Sequence, residues 1–461
     1  MPISPIWPAA TAVNAEGSIE FHGRTAESLL DEFGSPLYLI DTDEVVARAR
    51  HFVRAAAEAF NTSTTHVSFA GKAFLSKEVV RLVTEAGMFV DTCTMGEMKI
   101  ALAAGVPGRR LVLHGNNKSD EEIALAIEQG FAKIVIDEPD EPERVAAIAR
   151  KLGKRARVML RVTVGVHAGG HEYISTAHED QKFGVPLLAA AMEAIADGPS
   201  IAVLKTILAN QDVLELVGAH SHIGSNIHDA DAFIHAAKRM MLLRKTLWAT
   251  DAYILPEIDL GGGYSVAYTD GEDSMDIDVE LTRLADAVNS TNRALGMPAP
   301  AISFEPGRYI VAPAGVTLYR VGTIKHVHLS DAKDSDGNPI AERVYVSVDG
   351  GMSDNIRPAL YGADYTARLA NRTGSAETML ARVCGMHCES GDIVVHEVQL
   401  PADLKRGDIL AVPVTGAYGR TMASNYNQAL IPAVVAVSES GAHVMLRRQT
   451  VDDLLNLDVS E

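Results

Sequence analysis

Two of the three cysteines of this chain lie in one short stretch, Val383-Cys384-Gly385-Met386-His387-Cys388-Glu389-Ser390-Gly391-Asp392. A histidine, a glutamate and an aspartate stand beside the second thiol. Such groups can ligate a metal, act as nucleophiles, form a redox pair or move protons, and the same letters also suit an ordinary strand and turn. The CxxC spacing of a redox pair is absent here. No matching second ligand pair accompanies the stretch as in a structural metal site.

A second set of chemically able residues follows short apolar runs. Lys72 ends one such run in SFAGKAF. Asp91, His114, Asn116, Asp137 and Arg161 end or follow the next four. His220 and His222 lie in the sixth, Gly261-Gly262-Gly263 follows the seventh, and Glu305 and Arg308 follow the eighth. A lysine among apolar residues has a depressed pKa and becomes a usable amine nucleophile, as imine formation with an aldehyde cofactor requires. The alternative is a lysine whose stem packs while its ammonium reaches solvent. Glycine triplets and the Glu305-Pro306-Gly307-Arg308 turn let backbone N–H groups approach an anion, to which arginine adds charge. A tight turn explains a triplet equally well, but its place in the strand order favours phosphate. In His222-Ile223-Gly224-Ser225 an imidazole could stack on a flat ring and a hydroxyl could bind phosphate. His220 and His222 share a strand face and could also hold a metal. That reading needs further ligands, and His167, His171 and His178 fall in an expected loop, so no metal is assigned. Thr94 and Glu97 have capping-box spacing, with Glu97 also a candidate site group.

The runs that carry these residues recur regularly. VSFAGK, FVDTCT, LVLHGN, IVIDEP and VMLRVT start 22 to 24 residues apart. LVGAHSHIG, EIDLGGG and ISFEPG follow at longer intervals. The segments between the first five have helical apolar spacing and stop at glycine. Eight strands alternating with helices predict an α/β chain with a (β/α)8 barrel, a doubly wound sheet being the alternative. PLYLID at Pro36 to Asp41 could be a further strand. After about residue 311 the helices stop and β runs follow one another across turns, predicting a second, mainly β domain. The expected division is 1–40 joining the β domain, 41–310 the barrel and 311–461 the β domain.

Composition narrows the function. With 41 basic and 60 acidic residues the net charge is −19, which argues against a nucleic-acid partner. Few cysteines, no secretory signal and no long apolar run predict a cytoplasmic protein without membrane spans.

Taken together, SFAGKAF, DTCTMGEMKIAL, HGNNKSDEEI, HEYISTAHEDQKFG, HSHIGS, DLGGGY, FEPGR, VDGGMSDNIRPALYG, CESGD and GAYGRTMASNYN resemble the fold-type III pyridoxal-phosphate decarboxylases, and among them those acting on meso-2,6-diaminopimelate. The resemblance runs from PLYLID to VDDLLNLD. Phe69 and Phe74 stand where the family's lysine motif more often has Tyr and Asn. The resemblance implies an alanine racemase-like barrel with pyridoxal 5'-phosphate as cofactor and L-lysine and CO2 as products, in the last step of lysine biosynthesis. It implies that Lys72 forms the cofactor imine, His222 stacks on the ring, and Ser225, Gly262, Gly263 and the turn Glu305-Pro306-Gly307-Arg308 cradle the phosphate. Glu305 would partner the ring nitrogen. Arg308, Arg357, Tyr361 and Glu389 would bind substrate, and Tyr418 would touch cofactor and substrate. Cys388 would donate a proton across a homodimer interface at which the subunits share their active sites.

Two of these roles have independent reasons. A carboxylate beside the ring nitrogen keeps it protonated, which suits decarboxylation, whereas an arginine there would favour racemisation. Two arginines and a glutamate suit a distal end carrying both carboxylate and ammonium. Decarboxylation of ornithine, lysine or arginine is the alternative. A metal-dependent amidohydrolase barrel using His220 and His222 and a non-catalytic homologue are further possibilities. Cys384 is expected as a buried strand residue and Asp392 as a turn residue.

Overall fold

A computed structural model describes residues 3–165, 181–188 and 194–460. The chain forms two compact units. One comprises Val46–Val266 and Ser274–Ile310; the other gathers the N-terminal residues up to Val45, Ala267–Asp273 and the chain from Val311 onward.

The first unit is built on eight strands: β1 (Thr65–Ala70), β2 (Phe89–Thr92), β3 (Leu111–Leu113), β4 (Lys133–Ile136), β5 (Ala156–Thr163), β6 (Leu214–His220), β7 (Glu257–Asp259) and β8 (Ala301–Phe304). Each pairs in parallel with its sequence neighbour, and β8 pairs with β1, so the sheet closes on itself. All eight expected strands are present, and the barrel stands over the doubly wound alternative. Closure removes the sheet edge and places every strand's C-terminal end at one mouth. β3, β4 and β7 are buried at every residue, as expected for strands covered on both faces. Val185–Pro186 adds a short parallel pairing outside β5.

The helices begin where side chains satisfy their first amides. Ser76 Oγ accepts from the Val79 amide ahead of Lys77–Glu85, and Ser119 and Glu122 form a reciprocal capping box ahead of Asp120–Glu128. Glu141–Leu152 and Ile277–Leu295 end at Gly153 and Gly296, both left-handed.

In the second unit Leu37–Asp41, all five residues buried, lies between Gly315–Lys333, to which it is antiparallel, and Ala433–Ser438, to which it is parallel. PLYLID therefore forms a strand of the β unit, not a ninth barrel strand. The sheet continues through Pro339–Val348, Thr378–Cys384 and Ile393–Pro401 on one side and Gly441–Leu446 on the other. Among the described residues no helix is long and apolar enough to cross a membrane.

Candidate active site

The barrel mouth is shaped by three close backbone approaches. Gly71-Lys72-Ala73 forms one turn of 3-10 helix after β1. A Cβ on Gly71 would stand 2.6 Å from the Asp91 carbonyl oxygen, so glycine lets the β1 and β2 ends meet. Gly71, Ala73 and Phe74 are buried while Lys72 is exposed. The expected apolar setting thus belongs to the neighbours of Lys72, because the tight turn packs them inward and swings the ammonium out. Lys72 lies within electrostatic reach of Glu97 and His222.

The glycine triplet follows β7. Gly261 has φ +72° and Gly263 φ +114°. A Cβ at Gly261 would come 2.6 Å from the Ser221 carbonyl oxygen, and one at Gly263 would collide with the Gly224 carbonyl. The β6 and β7 loops therefore touch backbone to backbone. After β8, the Pro306 carbonyl accepts from the Ala70 amide, and a Cβ on Gly307 would lie 2.9 Å from that of Ala70. Among the described residues, neither the Gly263 nor the Gly307 amide N–H donates a hydrogen bond. Arg308 Nη2 donates to Ser225 Oγ at 2.7 Å. Glycine amides without a protein acceptor, a hydroxyl and a guanidinium are the donor set a phosphate needs.

His220 and His222 do not converge on one ligand. The Gly262 amide donates to His222 Nδ1 at 3.2 Å, so the ring proton belongs on Nε2. Burial, with Lys72 and Arg161 nearby, holds His222 well below the usual histidine range, leaving a neutral flat ring. His220 Nε2 instead donates to Glu305 Oε2 at 3.0 Å. On the other side of that carboxylate, His114 Nε2 stands 3.0 Å from Glu305 Oε1 and 3.6 Å from Asp91 Oδ1. Burial opposes ionisation of Glu305, but the two histidines outweigh it and hold the carboxyl well below its ordinary range. The histidines diverge: burial disfavours the His114 cation, yet Glu305 and Asp91 raise it well above the usual value, whereas burial takes His220 down to about 4. Burial, then Glu305, lifts Asp91 to about 6. Sequence reasoning placed His114 and Asp91 at strand ends without joining them to Glu305. The signal available was their shared position at the C-terminal ends of β2, β3 and β8.

The remaining barrel candidates serve the loops. Thr94 Oγ1 accepts from the Glu97 amide, and the Glu97 carboxylate reaches past the cap residue to the Cys93 amide at 2.5 Å. Asp137 accepts from the Gly184 amide at 2.7 Å, and Arg161 lies 4.4 Å over the Phe183 ring. His167, His171 and His178 lie outside the described residues.

The other expected residues belong to the β unit. Asp392, expected in a turn, is 3% exposed and lies at the centre of that turn. Its two oxygens accept from the Met352 amide at 2.6 Å and the His387 amide at 2.8 Å. His387 Nε2 meets Ser353 Oγ at 2.7 Å, and its Nδ1 meets Asn427 at 3.1 Å. Gly385 and Asp392 bond through their backbones, and the Asp392 amide donates to the Glu389 carbonyl, so the chain reverses between them. Because it turns here, Cys388 and Glu389 are both exposed. Cys384, at the end of Thr378–Cys384, is only partly buried, with Sγ 3.5 Å from Ser347 Oγ. Arg357 is buried, donates to Tyr365 at 2.5 Å, and lies 4.7 Å over the Tyr268 ring. It opens the short helix Arg357–Tyr361, and Tyr418 lies within its electrostatic reach.

Comparisons with known proteins identify the family of the chain. Residues 44–312 match the family described as pyridoxal-dependent decarboxylase, pyridoxal binding domain. Diaminopimelate decarboxylase of Mycobacterium tuberculosis is 44% identical over 458 residues, 98% of each chain. That of Bacillus subtilis is 37% identical over 446 residues, 97% of this chain and 96% of its own. A crystal structure of diaminopimelate decarboxylase from M. jannaschii in complex with L-lysine superposes with a TM-score of 0.86 at 27% identity, covering 100% of this chain and 99% of that one. The cradle of glycine amides, the amine after β1 and the carboxylate after β8 fit the phosphate, aldehyde and ring nitrogen of pyridoxal phosphate. The chain belongs to the pyridoxal-dependent decarboxylases, carboxy-lyases whose cofactor is pyridoxal phosphate.

Proposed function

We propose that the protein decarboxylates meso-2,6-diaminopimelate to L-lysine and CO2, in the cytoplasm and as a homodimer. Full-length relatives of that name and related structures bound to L-lysine support the substrate. When bound, pyridoxal phosphate supplies the electron sink for the charge left at Cα as CO2 departs. Lys72 holds the aldehyde covalently from its exposed position after β1. His222, neutral and oriented by the Gly262 amide, offers its flat face to the ring. Ser225, Gly262, Gly263, Pro306, Gly307 and Arg308 hold the phosphate, and Glu305 takes the ring nitrogen.

Arg308, Arg357, Tyr361, Glu389 and Tyr418 bind the amino acid. An arginine holds the distal carboxylate, and Glu389 takes the distal ammonium. Cys388 of a second copy delivers the proton to Cα, a task a positioned thiol can perform as a general acid. The observation that carries the reading is Glu305, flanked by His114 and His220 at the mouth of the same barrel as Lys72.

The test is product identification. With pyridoxal phosphate, the protein should convert meso-diaminopimelate to L-lysine while turning over L-lysine and L-ornithine far more slowly. Sodium borohydride should fix the cofactor to the parent chain through Lys72, so that it survives denaturation, whereas Lys72→Ala should retain no cofactor after reduction and denaturation and show no turnover. A preference for L-ornithine, or cofactor fixed to Lys72→Ala by borohydride, would overturn the reading.

A further inference from the structure

Glu305 is held from both sides, and the two holders differ in chemistry. His220, from β6, is 1% exposed and makes an aligned hydrogen bond to Oε2. His114, from β3, meets Oε1 at 3.0 Å as an ion-pair contact and has Asp91, from β2, behind it at 3.6 Å. Arg161 on β5 and Asp259 on β7 also act on Glu305 electrostatically, and Lys133 on β4 acts on Asp91 and Asp259. Six strands thus direct ionisable groups into one buried network around a single carboxylate. A carboxylate has about four lone-pair positions, so each oxygen can serve one imidazole and still accept another proton. Its direct contacts to Glu305 and Asp91 give His114 a role in this network, whereas a metal reading would have to break them.

We propose that His114 is a positioning residue for the cofactor's ring nitrogen: lodged between Asp91 and Glu305, it keeps Glu305 aimed and charged before the cofactor arrives. This rests on Glu305 being the partner of the ring nitrogen. His220 serves only Oε2, so Oε1 of this buried carboxylate depends on His114. Removing His114 withdraws one of the two groups that offset burial and moves Glu305 towards its protonated form. A ring nitrogen that arrives carrying its own proton then displaces one from Glu305. Cofactor affinity in such a variant must rise with pH, by up to about tenfold per pH unit for one released proton.

The experiment compares the parent with His114→Phe, which keeps a flat ring without nitrogens, and His114→Gln, which keeps a donor without charge. Each is stripped of cofactor, and the dissociation constant of added pyridoxal phosphate is measured between about pH 6 and 8, the range in which buried histidine–carboxylate pairs titrate. The melting temperature of the cofactor-free protein is recorded alongside. His114→Phe should weaken binding about tenfold or more at neutral pH and steepen its pH dependence relative to the parent. His114→Gln should fall between the two, and both should lower kcat more than they change KM. If His114→Phe does not yield folded protein, His114→Gln decides by the same measurements. Affinity within about twofold of the parent with an unchanged pH slope would overturn the inference. Glu305→Gln separates the two levels of the argument. If it also leaves affinity and slope unchanged, the reading of Glu305 itself fails. If it alters them while the His114 variants do not, only the role of His114 fails.

Discussion

In the barrel, buried ionisable groups hold one another: His114 and His220 flank Glu305, Asp91 backs His114, and Lys133 bonds Glu257. Around the Cys388 turn of the β unit two buried acids hold backbone instead, although Asp408 and Asp41 elsewhere in that unit pair with Arg372 and His22. Asp392 accepts two amides, and Asp354 accepts from the Gly351 amide at 2.8 Å and from the Tyr319 hydroxyl. Cys388 and Glu389 of that unit are exposed. A charge out of water needs a partner of opposite charge, which the barrel interior provides strand by strand. A residue that must meet a substrate needs only a fixed backbone beneath it. The barrel mouth thus balances buried charges against one another, while the Cys388 turn leaves a thiol and a carboxylate at the surface.

Cys388→Ala tests that contrast with the largest expected effect. Its kcat should fall by about 10²- to 10⁴-fold, the usual loss on removing a general acid, while the affinity for pyridoxal phosphate stays at the parent value. Parent-like turnover would remove Cys388 from the chemistry, and lost cofactor affinity would dissolve the division of labour between the units.

Asp392→Ala should have an intermediate effect. It strands two buried amide donors, at a cost of about 3 kcal/mol, and should lower the melting temperature and turnover together. A melting temperature equal to the parent's would show that the turn is held by something other than this carboxylate.

The smallest effect is on pH-dependent stability. Burial raises Asp354 to about 7 despite its hydrogen-bond donors. An acid with a folded pKa above its unfolded value of about 3.9 binds its proton more tightly when folded. Its stabilising contribution is complete below about pH 4 and is lost as pH rises towards 7, at up to about 1.4 kcal/mol per pH unit. Asp354→Asn should flatten that part of the melting-temperature profile of the cofactor-free protein. An identical profile in parent and variant would show that Asp354 is already ionised when folded.

Legibility in the sequence followed locality. Regular spacing between β runs and glycine stops exposed the eight barrel strands, because a period is a local property of the chain. Thr94 with Glu97 could be read as a cap for the same reason, although the Glu97 side chain reaches Cys93 instead of the cap residue. The assignment of Leu37–Asp41 depended on partners nearly 300 and 400 residues away in sequence, Gly315–Lys333 and Ala433–Ser438, and remained open. Lys72 was identifiable by its motif, but its exposure was not, since the 3-10 turn that rotates it outward depends on Gly71 meeting the Asp91 carbonyl.

By itself, the sequence determined the strand–helix alternation, the glycines at close approaches and the residue types available for chemistry. All three follow from intrinsic conformational preference and periodic burial. Only the tertiary structure decided which of those residues act together. It took closure of the barrel to set His114 and His220 against opposite oxygens of Glu305, and folding of the β unit to place Asp392 under the Cys388 turn. Contacts a few ångströms long between residues far apart in sequence arise when a sheet closes or a loop packs, and no local pattern encodes them.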